Sequence, residues 1–401
     1  PLVVDELVGC GATTFCLVDL LPPNVRGEGV PDDDRLTLVT ARRPVVEAAI
    51  ARVAAVTDGV TLCRGRSVVG LLTAGRATGV PHVRGVMLDD GRSIPADLVI
   101  DACGRRSALT SWLAAVGSEP LVEEREESGF VYYARHFRDR GGGTPPPKSG
   151  LLTHYESVSL LTLPADNGTW AVGFIASARD RALRALKDVD VWNRTLAMFP
   201  AAAHWNDGEP LGDDVAIMAG IEDRHRSLHG ERGPIVTGLL SVGDAWACTN
   251  PSLGRGLTMG AIHVRLLRDS LRSAGTDDPV GLACRFHEAT MGELEPWYRA
   301  TLAFDRHRLR EIEAEMTGVD YETDDVSWRI GCSLASSATV DGDLARAYLS
   351  IASMQQTAEE ALAMPGRFER LVGLGDLPRY PVPGPSRREL LAEVAGCRTP
   401  R

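Results

Sequence analysis

The sequence predicts an α/β protein: a discontinuous α/β body, an antiparallel β-sheet layer inserted into it, and a mostly helical C-terminal part. Three observations carry that expectation. Helix and strand periodicities alternate over the first 120 residues. The middle of the chain holds apolar runs with an Asn-Gly turn between two of them. A short apolar run, Ile235–Val242, then returns before a long helical stretch. With 401 residues the chain can form two domains, or one large body with an inserted layer. The expected segments are 1–120, the first part of the body; 121–234, the β-rich layer; 235–275, the second part of the body; and 276–401, the helical region.

The elements follow in order. Leu2–Val8 carries Asp5 and Glu6 among its apolar residues and reads as a helix ending in a turn at Gly9-Cys10-Gly11. Pro44–Val56 reads as an amphipathic helix: Val45, Val46, Ala49, Ile50, Val53 and Val56 share a face, Pro44 suits the first turn, and Thr57-Asp58-Gly59 stops it. Val60–Leu72 reads as a strand pair or bent strand, and His82–Leu88 as a strand. Asp89-Asp90-Gly91-Arg92 then makes a hairpin turn, and Ile94–Ile100 returns. A short helix begins at Trp112–Val116, and Phe130–Phe137 is a strand. Arg140–Gly150, rich in Gly and Pro, reads as a mobile loop. Leu151–Leu163 and Trp170–Ala176 form a hairpin around Asp166-Asn167-Gly168, expected in a sheet separate from the α/β body. Arg181–Phe199 is mostly helical, Leu257–Leu271 is a helix stopping near Gly275, and residues 280–312 and 341–372 are further helices. Pro378–Pro385 is a break.

Composition narrows the function classes. A net charge of −11 with scattered acidic residues argues against nucleic acid or anionic membrane as partner. No apolar run has transmembrane length and no secretory signal pattern is present. Eight cysteines without a C-x-x-C pair suggest neither a zinc site nor a disulfide framework, so reduced thiols in a cytoplasmic protein are expected. Lys148 and Lys187 are the only lysines; with many Arg, Ala, Val and Gly residues, this is the composition GC-rich bacterial genes encode. No metal site is expected. His225 and His229 are spaced i,i+4, but they lie among Arg224, Arg226 and Arg232 in an expected extended loop, where cations repel a metal; His287-Glu288 lacks a second His.

The most informative stretch is Ser241-Val242-Gly243-Asp244-Ala245-Trp246-Ala247-Cys248-Thr249-Asn250-Pro251-Ser252-Leu253-Gly254-Arg255-Gly256-Leu257. A strand ends in Gly-Asp, a turn with Asn-Pro follows, and two glycines open a helix. Such a loop offers one ligand a carboxylate for sugar-like hydroxyls and a helix N-terminus for negative charge, with bare backbone for close approach.

At these residues the chain resembles the FAD-dependent monooxygenase and geranylgeranyl-reductase-like superfamily, whose fold is known from aromatic hydroxylases. In that superfamily a Gly-Asp-Ala segment with a downstream Pro and Gly-x-Gly binds the ribityl chain and flavin ring. Gly243, Asp244, Pro251, Gly254 and Gly256 match it. Two further stretches agree in order and spacing. Ala41-Arg42-Arg43-Pro44 opens a helix where relatives place an FAD-contacting Arg, so the resemblance assigns Arg43 to the cofactor, and Arg42 less so. Asp101-Ala102-Cys103-Gly104-Arg105-Arg106-Ser107 resembles the Asp-Ala-Thr-Gly segment on the adenosine side of FAD, which assigns Gly104. Cys103 replaces the usual Thr or Asp, which resembles the reductase and halogenase branches and weakens direct NADPH recognition; the residue itself reads as a small buried filler. The matches cover about 36–115 and 210–275.

The resemblance also implies a Gly-x-Gly-x-x-Gly loop after a first strand, which this sequence does not contain; Gly9-Cys10-Gly11 is a near miss. The expectation is therefore a chain lacking its N-terminal glycine-loop segment and holding FAD weakly. The implied architecture is a discontinuous FAD-binding fold with the β-layer over the flavin. The implied activity is oxygen transfer to an apolar or aromatic small molecule through a reduced-flavin and peroxyflavin intermediate, with NAD(P)H or a partner flavin reductase as electron source. A prenyl-type double-bond reductase and a flavin-free binding protein are the alternatives. No catalytic residue is identified. Tyr132, Tyr133, His154, Tyr155 and Trp170 are placed equally well in a substrate chamber or in the core.

Overall fold

The computed structural model describes residues 2–77, 79–141 and 143–396. Helix α1 (Leu2–Gly9), strands β1 (Thr13–Cys16) and β2 (Thr37–Thr40) and helix α2 (Arg43–Ala55) come first. Strands β3 (Val68–Ala77), β4 (Val80–Leu88), β5 (Ser93–Pro95) and β6 (Val99–Asp101), helix α3 (Leu109–Ala115) and strand β7 (Val122–Glu127) follow. The middle holds β8 (Phe130–Arg138), β9 (Leu152–His154), β10 (Ser159–Pro164), β11 (Thr169–Ser177), α4 (Val189–Ala197), β12 (Glu209–Pro210), β13 (Ala216–Met218) and β14 (Glu222–Ser227). Then come β15 (Leu239–Ser241), β16 (Ala247–Cys248), α5 (Gly256–Ala274), α6 (Pro279–Glu293), α7 (Glu295–Thr317), α8 (Val326–Ser337), α9 (Gly342–Ala352), α10 (Ala358–Leu362), α11 (Arg367–Gly373) and α12 (Arg387–Ala395). The protein is thus mixed α/β.

The chain divides into two compact units. The first is Pro1–Leu62, Gly129–Ile221 and Arg306–Arg401; the second is Cys63–Ser128 and Glu222–Asp305. The sequence expectation kept residues 1–120 together. The structure instead groups residues up to Leu62 with the central sheet, and named bonds show why. Thr13 donates its hydroxyl to the Ala165 carbonyl, Asn167 N–H donates to Gly11 O at 2.9 Å, and Arg42 grips Asp166.

The first unit is built on an antiparallel sheet ordered β12-β8-β11-β10-β9, with β13 also on β8. Period-two alternation splits its residues. Val131, Tyr133, Phe137, Val172 and Phe174 pack with Trp192 and Leu196 of α4 and Leu390 and Val394 of α12. Phe130, Tyr132 and Ile175 pack with Ile221 and Ile312 instead. The β10–β11 turn is the expected tight hairpin: Asn167 and Gly168 have φ of +51° and +67°, as a two-residue turn of this twist requires. The Leu151–Leu163 run is not one strand, because it reverses between His154 and Ser159. The described residues of Arg140–Gly150 form neither helix nor strand; Gly142 lies outside them.

The second unit holds an antiparallel β3-β4-β5 meander, a parallel β6–β15 pair, and a β16-β14-β7 sheet. Three expected strands are shorter than read. Residues 60–67 form no strand, and β3 starts at Val68. Ile94–Ile100 changes partner part-way: Ser93–Pro95 pairs with β4, and Val99–Asp101 pairs with β15. Ile235–Val242 is likewise strand only over Leu239–Ser241, because Gly238 turns left-handed (φ +71°) where the Val83 carbonyl crosses it. The stretch around His225 is not a loop. Glu222–Ser227 pairs antiparallel with Val122–Glu127, and Glu123 accepts from Arg226 at 3.0 Å. Charged strands of this kind show no apolar alternation.

Candidate functional site

Strand β15 brings the chain to the site. Its parallel register with β6 ends at Ser241 against Asp101, and Val242 N–H then donates to the Asp101 carbonyl at 3.0 Å. Gly243 takes φ +56°, a left-handed conformation that favours glycine, and starts the single turn Gly243–Ala245. Cys248 then pairs with Arg224 on β14. The chain turns again through Pro251–Leu253, and Gly254 (φ +66°) redirects it into α5. The α5 periodicity buries Met259, His263, Leu266, Leu267 and Ser270, and Gly275 (φ +65°) ends the helix.

A cleft of about 270 Å³ opens between these turns, lined by Gly243, Asp244, Trp246, Pro251, Gly254 and Gly256 among others, all of the second unit. A β-carbon built on Gly243, Gly254 or Gly256 meets no atom within 4 Å. The bare backbone faces open space, as close approach by a ligand requires. Asp244 is exposed at the cleft. The first three N–H groups of α5 lie on the same loop and have no carbonyl within the helix.

The loop is braced from behind. Asn250 N–H donates to Asp223 Oδ1 at 2.6 Å, and Asn250 Nδ2 donates to Asp305 Oδ2 at 3.2 Å. Ser252 Oγ donates to Asp305 Oδ1 at 2.8 Å. Burial raises the Asp305 carboxyl to about 7 against the lowering effect of those bonds, and nearby Asp223 adds to the rise. Asp101 is similarly braced, accepting from Ser107 Oγ at 2.5 Å and Cys103 N–H at 2.9 Å. A smaller cavity of about 30 Å³, room for one water, borders Trp246 and His263. At its edge His229 stacks on His287, ring centroids 4.0 Å apart, and burial lowers both imidazoles.

No family model matches the chain. Protein Rv3254 of Mycobacterium tuberculosis is 30% identical over 228 residues, 52% of this chain and 46% of that protein, so the match spans about half of its length. Menaquinone reductase of Mycolicibacterium smegmatis is 24% identical over 298 residues, 69% of this chain and 67% of that protein. Among solved structures, PqsL of Pseudomonas aeruginosa, described as a probable FAD-dependent monooxygenase, superposes with a TM-score of 0.55 at 14% identity, covering 77% of this chain and 82% of PqsL. The fold is that of the FAD-dependent monooxygenases. The myxobacterial halogenase CndH, a variant of the FAD-dependent halogenases, also matches, with a TM-score of 0.51 at 16% identity over 82% of this chain and 77% of CndH.

Of the residues marked from sequence, the structure brings Gly243, Asp244, Pro251, Gly254 and Gly256 to one cleft. Gly104 (φ +70°) sits beside them; a β-carbon there would lie 3.9 Å from Asp244 Cβ. Arg43 belongs to the first unit. It starts α2 and pairs with Glu47 at 2.7 Å, while Arg42 is committed to Asp166. Cys103 is exposed rather than a buried filler; its thiol is partly screened from water and lies near the Asp101 carboxylate, and both effects raise its pKa and disfavour a thiolate. Tyr132, Tyr133, Tyr155 and Trp170 are buried in hydrophobic clusters, and His154 bonds Ser159 Oγ at 2.8 Å. Sequence reasoning missed Asp223, His263 and Asp305. A lone His or Asp carries no spacing signal; for His263 and Asp305 the hint was a polar residue on the apolar face of α5 or α7, while Asp223 sits on the charged strand β14, which shows no apolar alternation.

Among the described residues no cluster of three or more His, Cys, Asp or Glu side chains is placed to hold a metal. No helix among them is long and apolar enough to cross a membrane.

Proposed function

We propose that the chain is an FAD-dependent oxidoreductase, and that it works as a monooxygenase on an apolar or aromatic small molecule. The observation that carries the reading is the cleft itself. A Gly-Asp turn, a Pro turn and a Gly-led helix start converge on one open space, with backbone that no side chain fills. Asp244 would accept from ribityl hydroxyls, and the α5 N-terminus would face the electron-rich edge of the ring. Gly104 would lie on the adenosine side. Flavin supplies hydride and oxygen chemistry; the chain's part is to orient it and to keep water from the reacting face. PqsL, which shares the fold, has been solved with 2-aminobenzoylacetate, a small aromatic ligand, which supports an aromatic substrate here. Electrons would come from NAD(P)H or from a partner flavin reductase.

A second reading, reduction of an isoprenoid or quinone double bond, is favoured by the likeness to menaquinone reductase. Calorimetric titration with FAD tests the first step. Asp244→Ala should weaken binding about 10- to 100-fold, since a charged hydrogen-bond acceptor contributes ~1.5–3 kcal/mol. No FAD binding by the native chain, or equal affinity in the variant, refutes the assignment. Heavy-oxygen dioxygen then separates the readings: label appears in product for oxygen transfer, whereas turnover without dioxygen marks reduction.

A further inference from the structure

His263 lies on α5, about two turns into the helix, and is 1% exposed. Both ring nitrogens have partners. Gly243 N lies 3.2 Å from Nδ1. Thr290 Oγ1 on α6 lies 3.2 Å from Nε2, and the same oxygen lies 2.7 Å from the Phe286 carbonyl. These contacts fix the proton positions. A backbone N–H can only donate, so Nδ1 must accept. A carbonyl can only accept, so the Thr290 hydroxyl proton points to Phe286. The free lone pair of Thr290 then receives a proton from Nε2–H. The ring is therefore neutral with its proton on Nε2.

Packing holds the ring plane as firmly. Phe286 stacks on it at 4.9 Å and 13°, and Trp246 meets it edge-on at 4.9 Å and 71°. Burial, which lowers the imidazole to about 4, keeps it neutral at ordinary pH.

We propose that His263 is a positioning residue for the Gly243–Asp244 turn, and that Thr290, by accepting from Nε2–H, supports the tautomer it needs. By accepting the Gly243 N–H, the imidazole pins the left-handed residue that sends Asp244 to the cleft. The inference rests on the flavin reading only for the choice of ligand probe.

The test has two independent arms. Nitrogen NMR of the native chain should show Nε2 protonated and Nδ1 bare; a proton on Nδ1 overturns the proposal. Amide hydrogen exchange at Gly243 and FAD titration are then compared across variants. His263→Phe keeps the packing and removes the acceptor, so Gly243 exchange should speed up and FAD affinity should fall about tenfold. His263→Asn returns an acceptor near Nδ1 and should recover most of both. Thr290→Val removes the acceptor of Nε2–H, so the Nε2 resonance should shift and the ring should hold Gly243 less firmly; an unchanged Nε2 resonance refutes the part given to Thr290. Native Gly243 exchange in His263→Phe refutes the positioning role. If the native chain binds no FAD, the flavin reading fails, while tautomer and exchange still judge His263. If His263→Phe does not fold, His263→Asn and the NMR of the native chain decide.

Discussion

Asp305 is a buried carboxyl of the second unit whose charge state bears on that unit's stability. It is 3% exposed, and both carboxyl oxygens accept from the loop that carries Pro251. Its carboxyl titrates at about 7 in the folded chain, against about 3.9 for an ordinary Asp. A raised acid binds its proton in the folded state over a window where the unfolded chain has lost it. Stability must then fall as pH rises from about 4 to about 7. The gap of about three pH units corresponds to ~4 kcal/mol. Asp305→Asn removes the charge but turns one acceptor into a donor facing Asn250 or Ser252, a loss of ~1 kcal/mol. The variant should therefore be more stable than native at about pH 8 by ~3 kcal/mol, and no more stable at about pH 4. Urea unfolding at several pH values measures this. Parallel stability curves for the two proteins across that range would refute the reasoning.

Two further outcomes follow from packing. Gly238→Ala should destabilise the second unit by ~2–4 kcal/mol, because its β-carbon would fall 2.1 Å from the Val83 carbonyl oxygen at a φ of +71°; calorimetric melting checks it, and an unchanged midpoint excludes the crossing. Asp166→Asn should cost the first unit ~2–3 kcal/mol. Burial alone would raise this carboxyl, but Arg42 outweighs it and holds it at about 2. That stabilisation is present above about pH 4 and lost as pH falls toward 2, so native and variant unfolding free energies should converge in acid.

How much was legible follows from where the signal lay. The Gly243–Gly256 loop could be read because glycine, proline and aspartate mark backbone conformation directly, and the cleft forms from those residues. The Asp166-Asn167-Gly168 hairpin could be read for the same reason. The paired strands Val122–Glu127 and Glu222–Ser227 could not, because charged side chains paired across the two strands take the place of apolar alternation. Nor could the grouping of residues 2–62 with the central sheet, which depends on bonds such as Arg42 to Asp166, 124 positions apart. His263 and Asp305 were hidden because each acts through partners distant in sequence.

Trp246 gives the cleft an optical consequence. Its indole is 7% exposed, lines the cleft, and lies edge-on to His225 at 5.4 Å and to His263 at 4.9 Å. Six other tryptophans lie elsewhere in the chain, but this one shares a wall with the candidate site. Its emission is therefore an internal gauge. Light absorbed by a bound isoalloxazine would drain it, and a neighbouring imidazole gaining a proton would dim it. Occupancy of the cleft and the state of its histidines can be followed in the unmodified protein, without any attached label.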